Sequence, residues 1–258
     1  RMPGCVVLVG RRGRIVFEKA YGHRQLLPSK QEMTTDTVFD LASLTKPIAT
    51  ATSVLRLIEA GRVQLSDPVA KHLPEFASQG KEQITILQLL THQGGLIPDN
   101  RIEDYQQGIE QALKNVYATK PIAEPGTRFM YTDVGFIVLA ELVRRITGAD
   151  IHAYSQKTIF QPLGMTETGY LPAAALRRRA AVTEQREDRW MQGEVHDPRA
   201  YLLGGVAGHA GLFSTARDLA LYAQMMAAGG SFRGVRILRP ETVERMTRPI
   251  AVPGALRS

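Results

Sequence analysis

The chain has 258 residues, of which 44% are hydrophobic and 22% charged, with a formal net charge of +7 and a single cysteine, Cys5. That size and balance suit one large globular domain, or two intimately packed ones, with a real core. They exclude an internal disulfide and offer no apolar run of membrane-spanning length, and the scattered basic residues, densest at Arg177-Arg178-Arg179 without interleaved aromatics, give no reason to expect a nucleic-acid partner.

Taken in chain order, residues 5–9 and 14–20 read as two strands joined by the turn Arg11-Arg12-Gly13, with Cys5 as a small buried residue of the first. After Ser43, Ile48, Ala51, Leu55 and Ile58 recur at helical spacing until Gly61 stops the pattern. A short segment runs from Asp67-Pro68 to Phe76, and Thr85 to Leu90 begin a helix stopped at Gly94-Gly95. Residues 103–118 read as a polar helix, and Pro121 and Pro125-Gly126 mark a loop. An apolar helix follows from about Val134 to Ile146, ended by Gly148, with a shorter one near 150–160. Residues 166–200 read as polar and irregular. Ser214 or Thr215 caps a helix through Met226, with Asp218 in capping-box spacing, and Pro240 opens a last helix to about Met246. A two-stranded hairpin is rarely stable alone. Further strands are therefore expected, either within the ambiguous segments or beyond Ser258.

The stretch with the most chemistry is Phe39 to Lys46, which holds Ser43 and Lys46 in S-x-x-K spacing at the head of a helix. A serine hydroxyl is a poor nucleophile at neutral pH and needs a nearby base. Residues three apart share a helix face, so Lys46 can reach Ser43, and burial of the lysine would favour its basic, neutral form. The same four letters also fit an ordinary serine at a helix start with a solvated lysine one turn on. Farther along, His196, Asp197 and His209 could suggest a metal, but their spacing fits no standard site, and none is expected.

Four segments together resemble the serine β-lactamase and penicillin-binding-protein-like hydrolases, in the branch that holds class C β-lactamases, DD-carboxypeptidases and related esterases. They are Phe39-Asp-Leu-Ala-Ser-Leu-Thr-Lys46, Ile84 to Leu96 with its Leu-Thr-His-Gln-Gly-Gly-Leu end, Pro125 to Asp133, and Gly204 to Leu219. The resemblance covers nearly the whole chain and is nearest to penicillin-binding proteins of the 4B kind. It implies an α/β (α+β) fold of β-lactamase/transpeptidase type: an antiparallel sheet flanked by helices, with residues 62–200 as a mostly helical subdomain within a single catalytic domain over 1–258.

The resemblance also implies roles. Ser43 would be the nucleophile and Lys46 its base. The family's Y-x-N motif reads Tyr131-Thr132-Asp133, 88 residues after Ser43, with Tyr131 as the proton shuttle. Here Asp133 stands where the family has Asn. An ionised Asp only accepts hydrogen bonds, whereas Asn can also donate to a substrate carbonyl, which favours peptidase or esterase work over β-lactam recognition. His209-Ala210-Gly211 matches the family's H-x-G third motif by letters, making His209 and Gly211 candidates for substrate binding. In the family, however, the Gly-Leu-Phe-Ser-Thr segment that contains them precedes the true third motif and the last strands, so the chain is expected to stop short of both. The implied activity is acyl transfer through Ser43 without metal or organic cofactor, in an exported or periplasmic protein, though a cytoplasmic one remains possible. The substrate would be a D-alanyl peptide or a small ester, with a β-lactam as runner-up. A non-catalytic penicillin-binding or scaffold fragment stands as the alternative from another class.

Overall fold

In the computed structural model, residues 2–251 are described. Strands β1 (Gly4–Arg11) and β2 (Arg14–Gln25) pair antiparallel. Their turn places Arg12 and Gly13 at φ +51 and +73, the left-handed pair that matches strand twist in a tight hairpin. A short β3 (Gln31–Glu32) extends the sheet beside β2, in the order β1-β2-β3. Cys5 is half-buried rather than fully enclosed.

Strand β4 (Val38–Asp40) leads to the S-x-x-K segment, which is not a regular α-helix. Ala42–Leu44 form a 3₁₀ turn and Lys46–Ala51 a wide π-type stretch, before α1 (Thr52–Glu59) takes up regular geometry. Pro47, within the first turn of that stretch, brings no backbone N–H. Helix α2 (Ile86–Leu90) opens on a reciprocal capping box: Thr85 Oγ1 accepts the Gln88 N–H at 3.2 Å and Gln88 Oε1 accepts the Thr85 N–H at 2.9 Å. The expected polar helix over 103–118 is two pieces, a 3₁₀ turn at Ile102–Tyr105 and α3 (Ile109–Ala118), divided at Gly108 with φ +90.

Helix α4 (Asp133–Thr147) is the spine of the core. Val134, Phe136, Ile137, Val138, Leu139, Leu142 and Val143 are all buried, so apolar residues surround its axis. The Gly148 N–H closes its end on the Arg144 carbonyl at 2.9 Å. Helix α5 (Ile151–Ser155) runs through a π-type turn into α6 (Gln161–Leu163). The segment read as irregular holds α7 (Ala174–Arg177), the hairpin β5 (Val182–Arg186) and β6 (Arg189–Gln192), and α8 (Pro198–Leu202). The hairpin turns at Glu187, φ +54, with no glycine or asparagine to announce it.

Strand β7 (Phe213–Thr215) pairs with β4, so that Asp40 faces Phe213 and Val38 faces Thr215. Thr215 caps α9 (Ala216–Ala227), but the capping box is only half made. Asp218 sends its carboxylate to the Glu167 N–H and the Thr168 hydroxyl, both at 2.8 Å, instead of back to Thr215. Near the C-terminus, β8 (Ser231–Phe232) and β9 (Val235–Arg236) are too short to show a period of two, and α10 (Pro240–Thr247) follows. No helix among the described residues is long and apolar enough to cross a membrane.

The segment before β7 passes so close to α4 that only glycine fits at 208. Its carbonyl accepts the Thr50 hydroxyl at 2.7 Å, and a Cβ there would stand 2.0 Å from the Phe136 carbonyl oxygen and 2.8 Å from Ala140 Cβ. Overpacking of this kind typically costs about 1–3 kcal/mol. Gly208→Ala is therefore expected to lower unfolding stability by about 2 kcal/mol, read as a lower urea midpoint with an unchanged m-value.

Candidate active site

Ser43 is exposed in the middle of its 3₁₀ turn, whereas Lys46 is only 3% exposed. Lys46 Nζ lies 3.0 Å from Ser43 Oγ, as the spacing required, and reaches this point from beneath. Its second partner is the His209 carbonyl at 3.2 Å, and its third is Asp133 Oδ1 at 2.6 Å. The Asp133 contact is an ion pair outside hydrogen-bond angles. The Tyr131 ring centroid stands 4.7 Å from the same nitrogen, and that of Phe136 stands 5.9 Å away. The sequence-named residues Ser43, Lys46, Tyr131 and Asp133 thus converge on one point.

Two chain crossings hold them there. The Leu41 N–H donates to the Leu212 carbonyl at 2.8 Å, and the Leu212 N–H donates to Thr45 Oγ1 at 3.1 Å, so the Ser43 turn is stitched to the residues after His209. On the other side, the loop 92–98 carries 130–133. The Met130 N–H meets the His92 carbonyl at 2.8 Å, the Thr132 N–H meets His92 Nδ1 at 3.1 Å, the Thr132 hydroxyl meets the Ile97 carbonyl at 2.6 Å, and the Asp133 N–H meets the Pro98 carbonyl at 2.9 Å.

His92 lies within the Ile84–Leu96 segment, where the sequence assigns it no role. It adopts φ +57 and stacks on Tyr131 with centroids 4.5 Å apart. Burial first, and then the Lys46 charge, push its pKa down to about 4, with Asp133 opposing. At neutral pH its Nδ1 is therefore a free acceptor for Thr132.

His209 enters the site differently from the motif reading. Its ring is fully buried, with Nε2 3.0 Å from Asp197 Oδ1, and only its backbone carbonyl reaches Lys46. Gly211, at φ +111, is packed against Tyr170 and the Gly205 carbonyl and does not line the cavity beside Ser43. That cavity, about 310 Å³, is lined by Ser43, Lys46, His92, Tyr131 and Phe136 and by apolar side chains such as Leu55. Asp133, Asp197 and His209 place one potential ligand atom each within 4.8 Å of one another. Lys46 already supplies a cation to that group, and Asp197 Oδ1 is engaged by His209 and the Ala200 N–H.

The family model described as Beta-lactamase matches residues 1–257. Among curated proteins, "N-acetylmuramyl-L-alanine amidase" of Bacillus subtilis (strain 168) is 33% identical over 286 residues, covering 96% of this chain and 64% of its own length. "Putative D-alanyl-D-alanine carboxypeptidase" of Escherichia coli (strain K12) is 31% identical over 280 residues, covering 95% and 64%. The chain thus spans less than two thirds of the length of these relatives. Among solved structures, the octameric penicillin-binding protein homologue from Pyrococcus abyssi superposes with a TM-score of 0.79 at 25% identity, covering 99% of this chain and 58% of that one. The class C beta lactamase from Rhodobacter sphaeroides, at 24% identity and TM-score 0.75 over 93% of this chain and 64% of its own, shares the fold.

The depressed pKa of His92 has a consequence for stability. An unfolded histidine takes up its proton near 6.5, whereas the folded one waits until about 4. Between those values the unfolded state binds more protons, so stability falls as pH drops through that window and levels off below it. His92→Phe keeps a ring against Tyr131 but removes the titration. Its unfolding midpoint is expected to change less than the parent's between pH 6.5 and 4, measured by denaturant melts across that range.

Proposed function

The chain belongs to the β-lactamase family, and from that premise we propose that it is a serine hydrolase acting through an acyl-enzyme on D-alanyl peptides or small esters. The observation that carries this reading is the buried Lys46 Nζ, 3.0 Å beneath an exposed Ser43 Oγ. In the proposed reaction the Ser43 oxygen attacks the substrate carbonyl carbon, and its proton is taken up by the Lys46–Tyr131 pair, reacting from the form in which one of the two is deprotonated. The tetrahedral intermediate collapses as that proton moves to the leaving nitrogen or oxygen and the bond to it breaks. Water then repeats the sequence on the acyl-enzyme and frees Ser43. The Ser43 N–H lies in the first turn of its helical segment, where backbone donors lack helical partners, and serves as one donor to the oxyanion.

Asp133 is the counter-ion of Lys46 and offers its other oxygen to a substrate N–H, while His209 acts through its backbone carbonyl on Lys46 and Gly211, at φ +111, through the turn that carries the chain from His209 to Leu212. The names of the amidase and carboxypeptidase relatives both describe cleavage of an amide bond, which supports an amide carbonyl as target. A β-lactam presents the same electrophile and ranks second, because Asp133 cannot donate to a side-chain carbonyl while ionised. An exported location suits a D-alanyl peptide substrate.

Intact-mass spectrometry after incubation with a fluorophosphonate, and separately with a penicillin, tests the reading. A single adduct is expected on the parent and none on Ser43→Ala, with Lys46→Ala labelled about 100-fold more slowly or worse. A persistent penicillin adduct would fit a penicillin-binding protein, and one lost quickly as hydrolysed drug accumulates would favour the β-lactamase. No adduct with either reagent on folded protein would sink the acyl-enzyme reading.

A further inference from the structure

We propose that the dipeptide His196-Asp197 is a positioning strap that sets Ser43 and Lys46 in register with each other. The inference rests on the acyl-transfer reading above and deepens it.

Each residue of the dipeptide grips one half of the pair. His196 grips the serine side through Asp40. The Asp40 side chain is 1% exposed and carries three hydrogen bonds. Its Oδ1 accepts the N–H of Ala42, the residue before the nucleophile, at 2.8 Å. Its Oδ2 accepts the backbone N–H of His196 at 2.9 Å and lies 2.9 Å from His196 Nδ1. Ala42 sits at φ +48, in the left-handed region that non-glycine residues rarely adopt. The turn that presents Ser43 is thus held against its own preference, and the Asp40 carboxylate holds it. That carboxylate, buried, depends in turn on His196 for two of its three bonds.

Asp197 grips the lysine side through His209. Its Oδ1 accepts the Ala200 N–H at 2.8 Å, as the cap of α8, and pairs with His209 Nε2 at 3.0 Å. Burial works to raise the Asp197 carboxyl, but His209, the capped N–H and Arg199 outweigh it and hold it well below the usual carboxylate range. An ionised Asp197 only accepts, so His209 Nε2 carries the hydrogen. With its ring locked, buried His209 directs its backbone carbonyl at Lys46 Nζ, 3.2 Å away. Adjacent residues on one strap therefore fix the approach of the nucleophile and the seat of its base. Displacing reacting groups by even an ångström can cost about 100-fold in rate.

The test measures the second-order rate of fluorophosphonate labelling at Ser43, per folded molecule, alongside the thermal midpoint. His196→Ala keeps the backbone N–H bond to Asp40 and lies at a half-exposed side chain, so the variant folds; its labelling is expected to slow about tenfold. Asp197→Ala is expected to slow it similarly, while Asp197→Asn, whose Oδ1 still accepts from Ala200 and His209, should recover to within about threefold of the parent. A double Ala variant should fall little below the slower single one, because both act on one register. A labelled parent with single Ala variants labelled equally fast would overturn the strap and leave the acyl-transfer reading standing, even if their midpoints fell. An unlabelled parent would overturn that reading, and the role assigned here with it.

Discussion

Everything at this site depends on keeping one ammonium group under cover. Burying a lysine is costly unless its charge is matched and its hydrogens are used. Lys46 meets that demand with the Asp133 carboxylate at 2.6 Å, the His209 carbonyl at 3.2 Å and Ser43 Oγ at 3.0 Å, with the faces of Tyr131 and Phe136 alongside. The last hydrogen bond in that set is also the chemical one. The oxygen that satisfies the lysine is also the exposed one, that of the proposed nucleophile.

Its partners come from segments remote in sequence, so the fold must bring three of them to one point. It does so less with long elements than with short stitches. The β4–β7 pairing and the two bonds through Leu41 and Leu212 tie the Ser43 turn to the segment of His209. The four bonds between loop 92–98 and residues 130–133 bring up Tyr131 and Asp133. Regular secondary structure ends where the chemistry begins. Ser43 and Lys46 sit on 3₁₀ and π-type turns, and the spine helix α4 starts at Asp133. Irregular helical turns re-aim side chains that a straight α-helix would point elsewhere, and π-type turns recur at functional sites.

Much of this was legible in the residues. The hairpin, the helices from 52, 133, 216 and 240, and their stops at Gly61 and Gly148 follow from periodicity and capping, and Ser43 and Lys46 from their spacing. What escaped has physical reasons. The β5–β6 hairpin turns on Glu187 at φ +54 without a glycine, and β8 and β9 are two residues each, too brief for any period. The 103–118 segment divides at Gly108, φ +90, a break that the polar pattern on either side masks. His92 and Asp40 bond to the backbone N–H groups of Thr132 and Ala42, beside Tyr131 and Ser43, and no spacing rule marks such support. His209 was found for its ring but contributes its carbonyl, because H-x-G lettering says nothing about which atom faces the lysine.

The aspartate at 133 changes the character of the site beyond its pairing. A neutral amide there would leave the Lys46 charge less well matched and would present donors to the cleft. The carboxylate matches the charge and presents only acceptors. It does not stand alone: burial first, and then the charge of Asp133, raise the nearby Asp99 carboxyl, and Asp197 completes the cluster with His209. In a chain of net charge +7, the buried Lys46 is thus matched by one carboxylate in direct contact, with Asp197 close to that carboxylate. The one letter that departs from the family pattern is thus also the one that supplies the counter-charge for the buried Lys46.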